Sequence, residues 1–236
     1  MSSLLTDHQR QSLDAYEDFR NRYPKAFLGR QRRPIVLDRS RLESYSADHG
    51  VVLGIAATTP FVYFIVDLVE STNHQGQKFV HPYLRAVNRG QLDGATNVVV
   101  IATIAEPSLG RTGDIVLVVQ ERHATGTIET ELPRGFGERG LSGEQNALTE
   151  LKQETGFVGS NPRLLGHAWV DSGFTDAEVS FFHVEALAQQ APSREPEEAI
   201  VGVRLSSPAE IWEEITAGRI CDSFTIQAMS LYERLG

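Results

Sequence analysis

Between Leu132 and Phe157 the chain reads LPRGFGERGLSGEQNALTELKQETGF, and this stretch holds the residues best suited to chemistry. On an α-helix Glu154 lies about 40° around the axis from Glu150, with Asn146 at about −40° and Gln153 at about −60°. Ala147, Leu148, Leu151 and Thr155 cover roughly +60° to +160°. Two carboxylates one turn apart therefore share a stripe beside the apolar face. Oxygen donors so placed suit a hard divalent ion such as Mg²⁺, which takes one or two carboxylates and completes its shell with water and substrate phosphate. A solvated face is the commoner use of an isolated E-x-x-x-E. The glycine-rich loop before this one and Gly156-Phe157 after it set it apart. That loop contains Gly135-Phe136-Gly137-Glu138-Arg139-Gly140, a match to G-x-G-x-x-G. It lacks the surrounding βαβ unit and the acid ~20 residues on that a dinucleotide-binding turn requires.

The elements that must position this stretch are legible in outline. Glu144 to Thr155 reads as a helix, with Ser142 and Gln145 three residues apart as its capping box. Short apolar, β-branched runs predict strands at 51–56 and 61–66, with a Thr-Thr-Pro turn between them, and at 97–104 and 115–120. Further strands are predicted at 164–170, 179–186 and 200–205. A helix follows with Ser207 as N-cap, Pro208 in its first turn, Glu210 closing the box and Gly218 as the stop. A last helix runs from Ser223 to Leu235. Strands, a helix, more strands and then helices make an α+β protein with a mixed sheet.

Loop and helix together resemble the Nudix box, G-x5-E-x7-R-E-U-x-E-E-x-G-U, with U an apolar residue. Gly135, Glu150, Leu151, Glu154, Gly156 and Phe157 match it. Leu141, Thr149 and Gln153 stand where the box has its first Glu, its Arg and the first of its paired Glu. Thr149 and Gln153 are one turn apart, so losing that Arg and Glu together leaves no orphan charge. Glu138 and Glu144 are the acids nearby that can partly replace the one missing at Leu141. The resemblance extends from about Gln91 to the end and favours the ADP-ribose pyrophosphatase-like branch. Gln120-Glu121-Arg122 is similar to that branch's Q-x-R, and Glu131-Leu132-Pro133 to its E-L-P. Ser172 to Glu178 looks like its S-P-G-x-x-x-E, without the Pro and with Glu178 one residue late. Glu195 to Ile200 is placed like its late acidic loop, and Gly218 to Thr225 is similar to its G-x-I-x-D-x-x-T.

The resemblance implies an α+β Nudix fold, a mixed β-sheet sandwiched between helices, over residues 91–236. Residues 1–90 would form an N-terminal helical and strand extension, of the kind that branch uses to make homodimers. It implies Mg²⁺-dependent hydrolysis, with Mn²⁺ as a substitute, of the pyrophosphate of a nucleoside diphosphate linked to another group. The substrate would be an ADP-ribose-like compound or a nucleotide sugar. Glu150, Glu154 and Glu198 would be catalytic, Glu198 as general base with Glu195 and Glu197 as fallbacks. Glu150, Glu154, Gln153 and the Arg134 carbonyl would hold the metal, and Arg122, Arg134, Phe136 and Glu178 would meet the substrate. The three departures from the box support an alternative, a Nudix-fold sensor or regulatory module that binds a nucleotide without cleaving it.

Composition narrows the remaining classes. A length of 236 residues suits one large domain or two small ones at ~150 residues each. Hydrophobic and charged shares of 41% and 22% exclude collagen-like, low-complexity and wholly disordered chains. The single cysteine, Cys221, excludes an internal disulfide framework and Cys-based zinc or iron–sulfur sites, and fits a reducing setting. No H-E-x-x-H or G-x-S-x-G motif is present. The opening residues lack a basic segment followed by an apolar run, and Thr58, Thr59 and Pro60 break the most apolar stretch. A cytoplasmic protein with no membrane partner is expected. From Arg20 to Arg41 the chain is basic, which suits either a phosphate- or partner-binding arm or a solvated helix and loop. The scarcity of interleaved aromatics favours the second. With a net charge of −9, nucleic acid is not an expected partner. The full chain should therefore show no binding of single- or double-stranded nucleic acid in mobility shifts at physiological salt. Tight, salt-sensitive retardation would contradict this.

Overall fold

The computed structural model describes residues 4–30, 32–194 and 199–235, and the chain divides into two compact units. The first is formed by Met1–Asp93 with Trp169–Ala177, the second by Gly94–Ala168 with Glu178–Gly236.

In the first unit, helix α1 (Asp7–Arg22) starts at a capping box made by Thr6 and Gln9. A 3₁₀ turn at Pro24–Phe27 follows, then α2 (Arg39–His49), whose Asp38 cap accepts from the Arg41 N–H. Strands β1 (Gly54–Thr58), β2 (Val62–Thr72) and β3 (Lys78–Asn88) form an antiparallel sheet in that order, and a short helix α3 (Arg89–Leu92) ends the segment. Leu13, Tyr16 and Phe19 recur at helical spacing on α1 and pack with Leu42, Leu53, Ile65, Leu68 and Val87. Polar groups tie the same elements together. Gln9 Nε2 donates to the Ser46 and Val51 carbonyls, and Ser12 Oγ to those of Leu53 and Ile55. The basic run is not one arm: it spans the end of α1, the 3₁₀ turn, a loop and the start of α2. Arg39 there pairs with Asp14, Glu17 and Glu43, and Arg41 with Glu70.

The second unit is a mixed sheet between helices. Its strands are β4 (Asn97–Ile104), β5 (Ile115–Arg122), β6 (Thr127–Glu131), β7 (Arg134–Gly135), β8 (Phe157–Trp169), β9 (Glu178–Gln189) and β10 (Ile200–Ser206), with Trp169 grouping with the first unit. The order is β10-β5-β4-β9-β8, with β6 on β5 and β7 on β4. β4 runs parallel to β9 and antiparallel to β7. Helix α4 (Gly143–Thr155) lies on one face, α5 (Pro208–Thr216) and α6 (Ser223–Leu235) on the other. Every residue of β4 is buried, because side chains alternate and both faces are covered. Val98, Val100, Ala102 and Ile104 pack with Ala147 and Leu151 of α4. Val99 and Ile101 pack with Ile211 of α5 and Ala228 and Met229 of α6.

The expected elements are present, and three strands, β3, β6 and the two-residue β7, were not anticipated. β3 contains His81, Pro82 and Arg85, and β6 reads TIETE, so neither shows an apolar run. Their pairing with β2 and β5 makes them strands. Among the described residues no helix is long and apolar enough to cross a membrane.

One close approach in the first unit requires glycine. Gly54 has φ +96°, and a Cβ there would stand 2.5 Å from the Ser12 carbonyl oxygen on α1. Gly54→Ala is expected to cost about 1–3 kcal/mol in denaturant unfolding. Wild-type stability in that variant would contradict the packing of α1 on β1.

Candidate active site

Helix α4 carries the stripe. Its start is fixed by the Ser142–Gln145 capping box and its end by Gly156, whose φ of +80° gives a left-handed cap. Ala147 and Leu151 anchor one side on the sheet, which turns Asn146, Glu150 and Glu154 toward β7 and the loop after it. Glu150 is 7% exposed and Glu154 3%, an unusual depth for carboxylates. The strand opposite gives them room. A Cβ at Gly135 would lie 1.8 Å from Glu150 Oε1, and the Arg134 backbone N–H donates to Glu154 Oε2 at 3.1 Å. Asn146 Nδ2 bonds the Phe136 and Thr96 carbonyls, and Asn97 Oδ1 accepts from the Gly137 N–H. The loop is thus fastened to the helix and to the start of β4.

A second ionic cluster adjoins β7. Glu131 is fully buried and is held by two guanidinium groups. Arg122 reaches its Oε1 and Arg134 its Oε2, at 2.7 and 2.8 Å. Burial pushes the Glu131 carboxyl up, while Arg134 and then Arg122 pull it down. Arg134 also bonds Asp222 Oδ1 at 2.9 Å and lies over the Phe224 ring. Asp222 Oδ2 in turn accepts from the Thr225 N–H and hydroxyl at the start of α6.

Of the residues singled out in the sequence, Glu150, Glu154, Arg134 and Gly135 come together. Gln153 is half-buried on the same helix, and Phe136 is 52% exposed. Arg122 is engaged by Glu131. Glu178 opens β9 and lies 3.3 Å from His167 Nδ1. Glu195, Glu197 and Glu198 fall outside the described residues. The holding roles of Asn97, Asn146, Glu131 and Asp222 were not anticipated. Only Asp222 had a local cue, its spacing to Thr225 at a helix start.

The donor set fits a hard divalent cation. Two buried carboxylates project from one stripe, beside a backbone with no side chain at Gly135. Among the described residues no cluster of three or more His, Cys, Asp or Glu could hold a metal, so water and substrate would complete the shell.

Known proteins resemble this chain in sequence and in fold. A family model described as NUDIX domain matches residues 96–222. An ADP-ribose pyrophosphatase of Bacillus subtilis (strain 168) is 28% identical over 127 residues, 52% of this chain and 69% of that protein. A crystal structure of ADP compounds hydrolase superposes with a TM-score of 0.60 at 15% identity, covering 76% of this chain and 89% of the other, which shows a shared fold.

Gly135→Ala should leave the circular dichroism spectrum unchanged yet weaken Mg²⁺ binding by about tenfold or more, because the added methyl displaces Glu150. Unaltered Mg²⁺ affinity by calorimetry would contradict this placement.

Proposed function

The chain belongs to the NUDIX family, among the pyrophosphohydrolases like ADP-ribose pyrophosphatase, and we propose that it uses Mg²⁺ to hydrolyse the pyrophosphate of a nucleoside diphosphate linked to another group. ADP-ribose-like compounds are the first candidates and nucleotide sugars the second. The observation that carries this reading is the Glu150–Glu154 stripe of α4, buried against Gly135 and inside the matched residues.

Glu150 and Glu154 hold the metal, with the Gln153 amide oxygen and the Arg134 carbonyl as neutral donors. A bound Mg²⁺ (or Mn²⁺) neutralises phosphate oxygens and lowers the pKa of a bound water. Glu198 accepts the proton of the attacking water. Supporting this, two residues shortly before Glu198 in the chain bond the last turn of α4. Ser193 N–H donates to the Gln153 carbonyl and Arg194 Nε to the Glu154 carbonyl. Arg122 and Arg134, positioned by Glu131, neutralise the substrate phosphates. Phe136 and Glu178, both accessible, contact its organic groups. With ADP-ribose, water adds to one phosphorus and the other phosphate leaves, giving AMP and ribose 5-phosphate. We further infer a cytoplasmic homodimer joined through the strands of the first unit.

Glu154→Gln should fold normally and lose about hundredfold or more of its ADP-ribose turnover, the loss expected when metal charge stabilisation is weakened. Gln153→Glu should raise turnover and lower the Mg²⁺ requirement, since hard-cation affinity follows ligand charge. Wild-type turnover in Glu154→Gln would overturn the metal assignment. Binding of ADP-ribose without turnover at any Mg²⁺ concentration, unrescued by Gln153→Glu, would replace the enzyme with a sensor.

A further inference from the structure

The segment Trp169–Ala177 folds onto the three-stranded sheet of its own unit. The Phe174 carbonyl accepts from the Ala86 N–H at 2.8 Å, the Gly173 carbonyl accepts from the Tyr83 hydroxyl at 2.6 Å, and Ala86 and Thr175 pair as a parallel bridge. With the loop before α2, this segment borders an open cavity of about 340 Å³ whose walls include Arg30, Arg33, Arg85, Tyr83, Trp169 and Phe174.

Arg85 reaches the cavity from inside β3. Its side chain is 6% exposed, and its Nε donates to Asp67 Oδ2 at 2.6 Å. The other Asp67 oxygen accepts from the Tyr16 hydroxyl, so that carboxylate is committed to the core. Among the described residues neither Nη1 nor Nη2 of Arg85 has a hydrogen-bond acceptor. The Asp176 carboxylate, on the same wall, is 3.8 Å from Nη1, too far for a hydrogen bond. Burial raises the Asp176 carboxyl, and burial followed by the charge of Arg85 lowers the Arg30 guanidinium. Three arginines face two acids, and one of those acids is spent. Both Nη nitrogens of Arg85 are buried and its guanidinium lies over the Phe27 ring, so Arg85 supplies positive charge behind the cavity wall, and Arg30 and Arg33 are the guanidinium groups placed to meet an oxyanion. Trp169 and Phe174, 57% and 40% exposed, supply apolar cover for the body of a ligand.

We propose that this cavity binds a phosphate monoester, with Arg30 and Arg33 meeting the phosphate, the buried charge of Arg85 behind them, and Trp169 and Phe174 covering the group that carries it. All the lining residues belong to the first unit, so binding requires neither Glu150 nor Glu154 nor a metal.

The test is calorimetry on the full chain in EDTA with inorganic phosphate, ribose 5-phosphate and AMP as probes. At least one should bind saturably in the millimolar range or tighter. Arg33→Gln removes an exposed arginine and should weaken binding about tenfold, the loss of one charge-assisted contact. Asp176→Asn removes the competing charge and should tighten it several-fold. Unchanged unfolding midpoints show that both variants fold. Equal affinity for all three probes overturns the cover of the attached group by Trp169 and Phe174. Tighter AMP or ribose 5-phosphate, weakened by Trp169→Ala, supports cover of the attached group. No saturable binding, or binding that neither charge variant alters, overturns the proposal.

Discussion

Two carboxylates buried on one side of a helix constrain the second unit more than any other feature. A buried carboxylate needs backbone donors or a cation around it. Glu154 takes the Arg134 N–H, and Glu150 sits where β7 has no side chain. For this to hold, α4 must lie at a fixed height against the sheet. The Ser142 box, the Gly156 cap and the Ala147–Leu151 contact with β4 set that height. Glu131 then holds Arg122 and Arg134 beside the same strand, and Asp222 ties Arg134 to α6. Helices on both faces of the sheet are thereby connected to one short loop.

The departures from the box are accommodated locally. Thr149 stands where the box has Arg, and its hydroxyl donates to the Gln145 carbonyl one turn back. Leu141 and Gln153 are half-buried. A metal bound as proposed would have two carboxylates among the described residues, which favours metal arriving together with substrate phosphate.

Much of this was legible in the sequence because it is local. The cap and stop of α4, the span of β4, the Pro208 start of α5 and the limits of α6 follow from residues at most four apart. What was not legible depends on distant pairing. β3 and β6 become strands by joining β2 and β5, and Arg134 meets Asp222 across 88 residues. The grouping of Trp169–Ala177 with the first unit left no trace in composition or periodicity. The basic run from Arg20 to Arg41 read as one feature, yet folding distributes its charges among a helix end, a loop and ion pairs.

Phosphorus NMR of ADP-ribose incubated with the wild-type chain and excess Mg²⁺ tests the central claim most directly. The pyrophosphate resonances are expected to disappear, with phosphomonoester resonances of AMP and ribose 5-phosphate replacing them in equal amounts. Pyrophosphate resonances that persist while calorimetry shows ADP-ribose bound would contradict it.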